Sequence, residues 1–96
     1  MSMQVRDNTE RHRFEIEIEG EIAKAVYRLS PGIITFVHTE VPKALSGRGV
    51  GSALARGALE AARAMGLKVV ALCPFIAAYI ERHPEFQDLL AEPPAA

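Results

Sequence analysis

Hydrophobic and polar positions fall into a sequence of distinct periods along this chain. Residues 1–12 are polar and have none, which predicts a flexible arm. Phe14, Ile16 and Ile18 then alternate with Glu15, Glu17 and Glu19, the period of two of a strand with one face on a core and the other in water. The glutamates are expected on the solvated face. After the Gly20-Glu21 turn, Ile22 to Leu29 alternates again. Ala23, Ala25, Tyr27 and Leu29 fall on one side and Lys24 and Arg28 on the other, so the two runs read as a hairpin. Ser30-Pro31-Gly32 is a second turn. Ile33 to Thr39 follows, apolar on both faces, as expected of a central strand covered on each side.

The period then changes to that of a helix. From Arg48 or Gly49 to Met65, the residues Val50, Leu54, Ala58, Ala61 and Met65 form one stripe, with Ser52, Arg56, Glu60 and Arg63 opposite. Gly57 inside this helix costs about 1 kcal/mol relative to alanine, which points to close packing on the sheet. Gly66 is placed to close the helix. Leu67 to Leu72 reads as a buried strand, reached through a helix and so parallel to the one before it. Cys73-Pro74 begins a second helix with an apolar stripe of Phe75, Ile76, Tyr79 and Ile80, ended by His83-Pro84. Glu85 to Leu90 suggests a last helical turn, and residues 91–96, with Pro93-Pro94, a flexible tail. The expected architecture is α/β (α+β): a three-stranded antiparallel meander, a helix, a parallel strand and a helix. The folded domain spans residues 13–90.

Composition narrows the function. The 96 residues carry a formal net charge of -1 with 49% hydrophobic and 24% charged residues, a soluble globular balance without the basic footprint of a nucleic-acid binder. The N-terminal region lacks an apolar signal core, and no run approaches the roughly 18 apolar residues of a membrane span, so a cytoplasmic protein is expected. The single cysteine, Cys73, can form no intrachain disulfide. No His, Cys, Asp or Glu cluster has metal-ligand spacing, so no metal is expected.

The stretch with chemical content is Leu45-Ser46-Gly47-Arg48-Gly49-Val50-Gly51-Ser52, a glycine-rich turn running into the long helix. Glycines at alternate positions let the backbone approach a ligand, and the helix start presents N–H groups without internal partners. Such an end binds phosphate, and Arg48 adds a cation. A Walker A loop is excluded because no lysine follows a glycine in the required frame. A Rossmann fingerprint is excluded because Ser52 or Leu54 occupies its last glycine position.

Val41-Pro42 followed by Ser46-Gly47-Arg48-Gly49-Val50-Gly51 and a helix resembles the acetyl-CoA signature of the Gcn5-related N-acetyltransferases. Together with His38-Thr39-Glu40 and Cys73-Pro74-Phe75-Ile76-Ala77-Ala78-Tyr79, it resembles the small single-domain subfamily, over about residues 13 to 90. Two positions depart from the pattern: Ser46 replaces the usual Gln or Arg, and the interval from Pro42 to the signature is one residue longer than is common. The resemblance implies that Arg48 and the N–H groups of Gly49, Val50, Gly51 and Ser52 hold the CoA pyrophosphate, within a signature that begins at Ser46 and Gly47. It also implies that the strand end at Thr39, Glu40 and Val41 splays from its neighbour and pairs with the pantetheine arm.

Transfer of an acetyl group to an amine needs a base for the amine and a proton for the departing thiolate. His38 and Glu40, at the end of the third strand, are candidates for the base. Tyr79 matches the family's tyrosine, whose hydroxyl protonates the CoA sulfur. Cys73 lies at a helix start, where a thiolate gains from the helix dipole, so it is a candidate nucleophile as well as a packing residue. The resulting expectation is an acetyl-CoA-dependent N-acetyltransferase working by direct attack in a ternary complex on an unidentified amine. The alternative is an acyl-CoA-binding module without efficient transfer. The chain is too short for the terminal hairpin of longer acetyltransferases, leaving the substrate end open or completed by a second subunit, as in a homodimer.

Overall fold

A computed structural model describes residues 3–91. Five strands form one sheet in sequence order: β1 (Arg6–Asn8), β2 (Arg13–Ile18), β3 (Glu21–Ser30), β4 (Ile33–Glu40) and β5 (Lys68–Ala71). The first four run antiparallel, and β5 lies parallel to β4 after the crossover through helix α1 (Val50–Ala64). Helix α2 (Pro74–Arg82) and a 3-10 segment (Pro84–Leu89) complete the order. This is the mixed α/β fold that the periods predict, with one more strand.

That strand corrects the expectation of a flexible arm. Arg6, Asp7 and Asn8 pair with Glu15, Phe14 and Arg13. Asp7 accepts a 2.6 Å hydrogen bond from the Tyr27 hydroxyl. Val5, just upstream, packs on Gly57 so closely that a Cβ there would stand 2.4 Å from a Val5 methyl. The close packing expected of Gly57 is therefore made with this N-terminal segment. Glu15 is likewise not solvated: it is 3% exposed and bonded by Arg6, Asn8 and Arg13. Of the expected tail at 91–96, Ala91 donates its N–H to the Val69 carbonyl at 2.9 Å, and residues 92–96 lie outside the described residues.

The core occupies one face of the sheet. Phe14, Ile16 and Ile18 of β2, Ala23, Ala25 and Tyr27 of β3, and Ile34 and Phe36 of β4 share that face. They are covered by Val50, Leu54, Ala55, Ala58, Leu59 and Ala62 of α1. The helix stripe thus lies to one side of the expected Ala61 and Met65, and Met65 is 49% exposed. Helix α2 adds Ile76, Tyr79 and Ile80 to the core, and Phe86 of the 3-10 segment lies between Tyr79 and Arg56 of α1. On the other face of β4, Ile33, Thr35 and Val37 are only half-buried, because both helices lie on the first. Leu29, near the end of β3, is exposed too.

Candidate acetyl-CoA site

Two irregularities in β4 open the sheet. Val26 stands opposite His38 while Tyr27 stands opposite Phe36, so Val37 is an extra residue, a β-bulge that bends the strand. Pairing with β5 stops at the same place: Ile33 to Phe36 match Lys68 to Ala71, and the Phe36 carbonyl takes the N–H groups of both Leu72 and Cys73 at 3.0 Å. Beyond it the chain turns into α2, and the β5-side edge of residues 37–40 is left without a strand partner. Pro42, which has no N–H, follows the strand and leads into a short 3-10 turn at Lys43–Leu45.

Across this split, the Cys73 thiol donates to the Thr39 hydroxyl at 3.2 Å. Cys73 is 4% exposed and Thr39 half-buried, so the gap is narrow and mostly dry. Beside it, Gly47 and Gly49 take φ of 78° and 76°, the left-handed region, and turn the chain into α1. Gly49 is the helix cap and offers no side-chain acceptor; the first intrahelical bond runs from Ala53 N–H to Gly49 at 3.0 Å. The N–H groups of Val50, Gly51 and Ser52 therefore lack intrahelical partners, with no acidic side chain in the first turn to compete for them. These are the physical requirements of an anion site. Ser46, whose hydroxyl donates to the Lys43 carbonyl at 2.9 Å, braces the entry to the turn. Arg48 is engaged by Glu19 of the β2–β3 turn at 3.1 Å, a partner no local pattern announces.

His38 and Glu40 come together on the sheet face opposite α1, their side chains 3.3 Å apart. Lys24 of β3 lies 3.4 Å from the same Glu40 oxygen. Lys24, and after it His38, hold the Glu40 carboxyl below the usual range. Thr39, between them, points to the other face and meets Cys73. Tyr79 is 4% exposed in the seam between α1 and the 3-10 segment. Its ring stacks on His83 with centroids 3.8 Å apart, and the Arg56 guanidinium, raised first by Glu85 and then by Tyr79, is its cationic neighbour. The fold thus forms three groups: Thr39 with Cys73, His38 with Glu40 and Lys24, and the glycine turn with Arg48. Tyr79 sits with Arg56 and His83. Phe75, expected in the buried stripe of α2, is instead 38% exposed beside Gly51. A groove of about 710 Å³ along the outer edge of β5 contains none of the candidate residues.

Comparison with known proteins accords with this geometry. The family described as GCN5-related N-acetyl-transferase matches residues 13–89. Protein NATD1 of Gallus gallus is 32% identical over 85 residues, covering 85% of this chain and 77% of that protein. Human protein NATD1 is 31% identical over 85 residues, 85% and 75% of the two chains. The NMR structure of a GCN5-like protein from Staphylococcus aureus superposes with a TM-score of 0.71 at 31% identity, covering 94% of this chain and 90% of that one.

Proposed function

The chain belongs to the GCN5-related N-acetyltransferases, and from that premise we propose that it binds acetyl-CoA along the β4–β5 split and passes the acetyl group to an amine by direct attack in a ternary complex. The observation that carries the reading is the unpaired edge of residues 37–40 lying next to uncapped amides at the start of α1. One end suits an extended amide-bearing arm, which can add to a strand edge, and the other suits its phosphates.

In this reading the pyrophosphate takes the N–H groups of Gly49, Val50, Gly51 and Ser52 in the turn that starts at Ser46 and Gly47. Arg48 exchanges Glu19 for phosphate; both side chains are exposed, so the pair gives up at most about 1 kcal/mol. The arm follows Thr39, Glu40 and Val41, and the thioester reaches the neck between Thr39 and Cys73. The amine approaches from the sheet face that bears His38 and Glu40, away from the helices. His38 takes its proton directly or through water, while Glu40, kept ionised by Lys24, accepts a hydrogen bond from the imidazole. The amine nitrogen attacks the thioester carbonyl, the C–S bond breaks, and the CoA thiolate leaves with a proton from Tyr79. Cys73 packs against the thioester.

A panel of small amines, polyamines and basic peptides incubated with acetyl-CoA, with release of free thiol as the signal, tests this. The expected result is amine-dependent release that falls about a hundredfold in Tyr79→Phe and keeps most of its rate in Cys73→Ala. Tight CoA binding with no release for any amine would leave a binding module instead. An acetyl group on Cys73, formed and discharged at the turnover rate, would replace direct attack with a covalent route.

A further inference from the structure

Strand register brings one amine of this chain to His38 and Glu40. Lys24 stands directly opposite Glu15 on β2 and Glu40 on β4, on the sheet face away from α1. Neighbours of opposite charge pair across strands, but Glu15 is already enclosed by Arg6, Asn8 and Arg13. The Lys24 side chain is therefore left to Glu40, whose Oε2 lies 3.4 Å from its Nζ. His38 Nε2 lies 3.3 Å from the same oxygen. An amine and an imidazole that share one carboxylate oxygen are within reach of proton transfer through that oxygen or a single water. The pair with Glu40 is weak because the carboxylate is 53% exposed, and a flexible four-carbon stem lets the amine leave it for the strand edge. The other two lysines of the chain are placed differently. Lys43 is exposed in the 3-10 turn beyond the strand end. Lys68 donates to the Asp88 carbonyl at 3.0 Å and stands beside Ile33, at the opposite end of β4 from the split.

We propose that Lys24 is a self-acetylation site: its ε-amine meets the thioester of its own chain when no other acceptor occupies the face that bears His38 and Glu40. The assignment rests on the acetyl-CoA reading and adds to it an acceptor within the protein. The Lys24 ammonium loses one proton to His38. Its nitrogen attacks the acetyl carbonyl, and the C–S bond breaks as a second proton leaves the nitrogen. The thiolate takes its proton from Tyr79, which regains one from solvent. The products are Nε-acetyl-Lys24, CoA thiol and one proton. The amide left behind is uncharged, so the foremost group drawing the Glu40 carboxyl down is removed with it.

The test is incubation of the full chain with acetyl-CoA and no added amine, followed by intact mass and peptide mapping, in the wild type, His38→Ala and Lys24→Arg. Melting curves with and without CoA establish that each variant is folded and binds. The wild type should gain one acetyl group that is stable to hydroxylamine, as an amide is and a thioester is not, and that maps to Lys24 well ahead of Lys43 and Lys68. Its rate per molecule should not change on dilution. His38→Ala should slow it by about a hundredfold, and Lys24→Arg should abolish it. Equal labelling of all three lysines, at a rate that His38→Ala leaves unchanged, would be chemical acetylation by the thioester and would overturn the proposal. So would labelling that slows on dilution, an adduct confined to Cys73, or a melting temperature raised by CoA with Lys24 unmodified. A wild-type melting temperature unmoved by CoA would overturn the acetyl-CoA reading itself, an outcome distinct from these.

Discussion

Glu15 shows how much one side chain can depend on residues that no local pattern connects to it. The Arg6 guanidinium at 2.7 Å, Arg13, and Asn8 at 3.1 Å surround a carboxylate that is 3% exposed. Arg6 foremost, then Arg13 and Asn8, outweigh the cost of burial and draw its pKa down to about 2. A carboxyl whose pKa is lowered by folding contributes stability above its unfolded value and loses it as the pH falls towards the folded one. Arg6 is largely exposed, so solvent screens part of the effect. Glu15→Gln should cost on the order of 1–3 kcal/mol at neutral pH. The difference in melting temperature from wild type should shrink as the pH drops from about 4.5 towards 2. A difference independent of pH would mean that packing, and not charge, makes the site.

Among the elements, β1 and α1 are joined at Gly57. In an isolated helix, Gly57→Ala would add about 1 kcal/mol of stability. Here the new methyl would stand 2.7 Å from Val5 Cβ as well as 2.4 Å from its Cγ2, so the flexible end of that side chain cannot relieve the clash alone. Gly57→Ala should therefore destabilise by about 1–3 kcal/mol in denaturant unfolding. Val5→Ala introduced alongside it should recover part of the loss through the shared contact. A Gly57→Ala protein more stable than wild type would show that the N-terminal segment does not lie on α1. Elsewhere on the same helix, Arg63 bonds Asp88 at 2.9 and 3.0 Å and the Glu85 carbonyl at 2.6 Å. Arg56 and Arg63 flank the Phe86 ring, which ties the 3-10 segment to α1.

At the scale of the whole molecule, the proposed ligand would touch β4, the first turn of α1 and the first turn of α2, three parts that the sheet alone does not hold together. Binding should then act on global stability. At a CoA concentration a hundredfold above its dissociation constant, the gain is about 2.7 kcal/mol. For a domain of this size it is read as a rise in melting temperature on the order of 10 °C or more. A melting temperature unmoved by millimolar CoA would count against the split as the site. No helix among the described residues is long and apolar enough to cross a membrane.

Much of the fold was legible in the sequence because it follows from local periods. The alternation from Phe14, the hairpin at Gly20, the helix beginning after Gly49 and the parallel strand before Cys73 each declare themselves within a few residues. The structure bears out their order, and the family with it. The glycine turn was equally readable as a candidate anion site, since left-handed backbone and an uncapped helix start are properties of a short segment. Other features depended on tertiary structure because their causes lie far along the chain. Three residues at Arg6–Asn8 are too few to show a period and become a strand only against β2. Glu15 reads as solvated until Arg6 and Asn8 cover it. Likewise, Thr39 meets Cys73 across 34 positions and Arg48 meets Glu19 across 29. Phe75 has helical spacing with the buried stripe, yet faces Gly51 because α2 starts beside the first turn of α1. Period records which residues can share a face, whereas packing decides what that face meets.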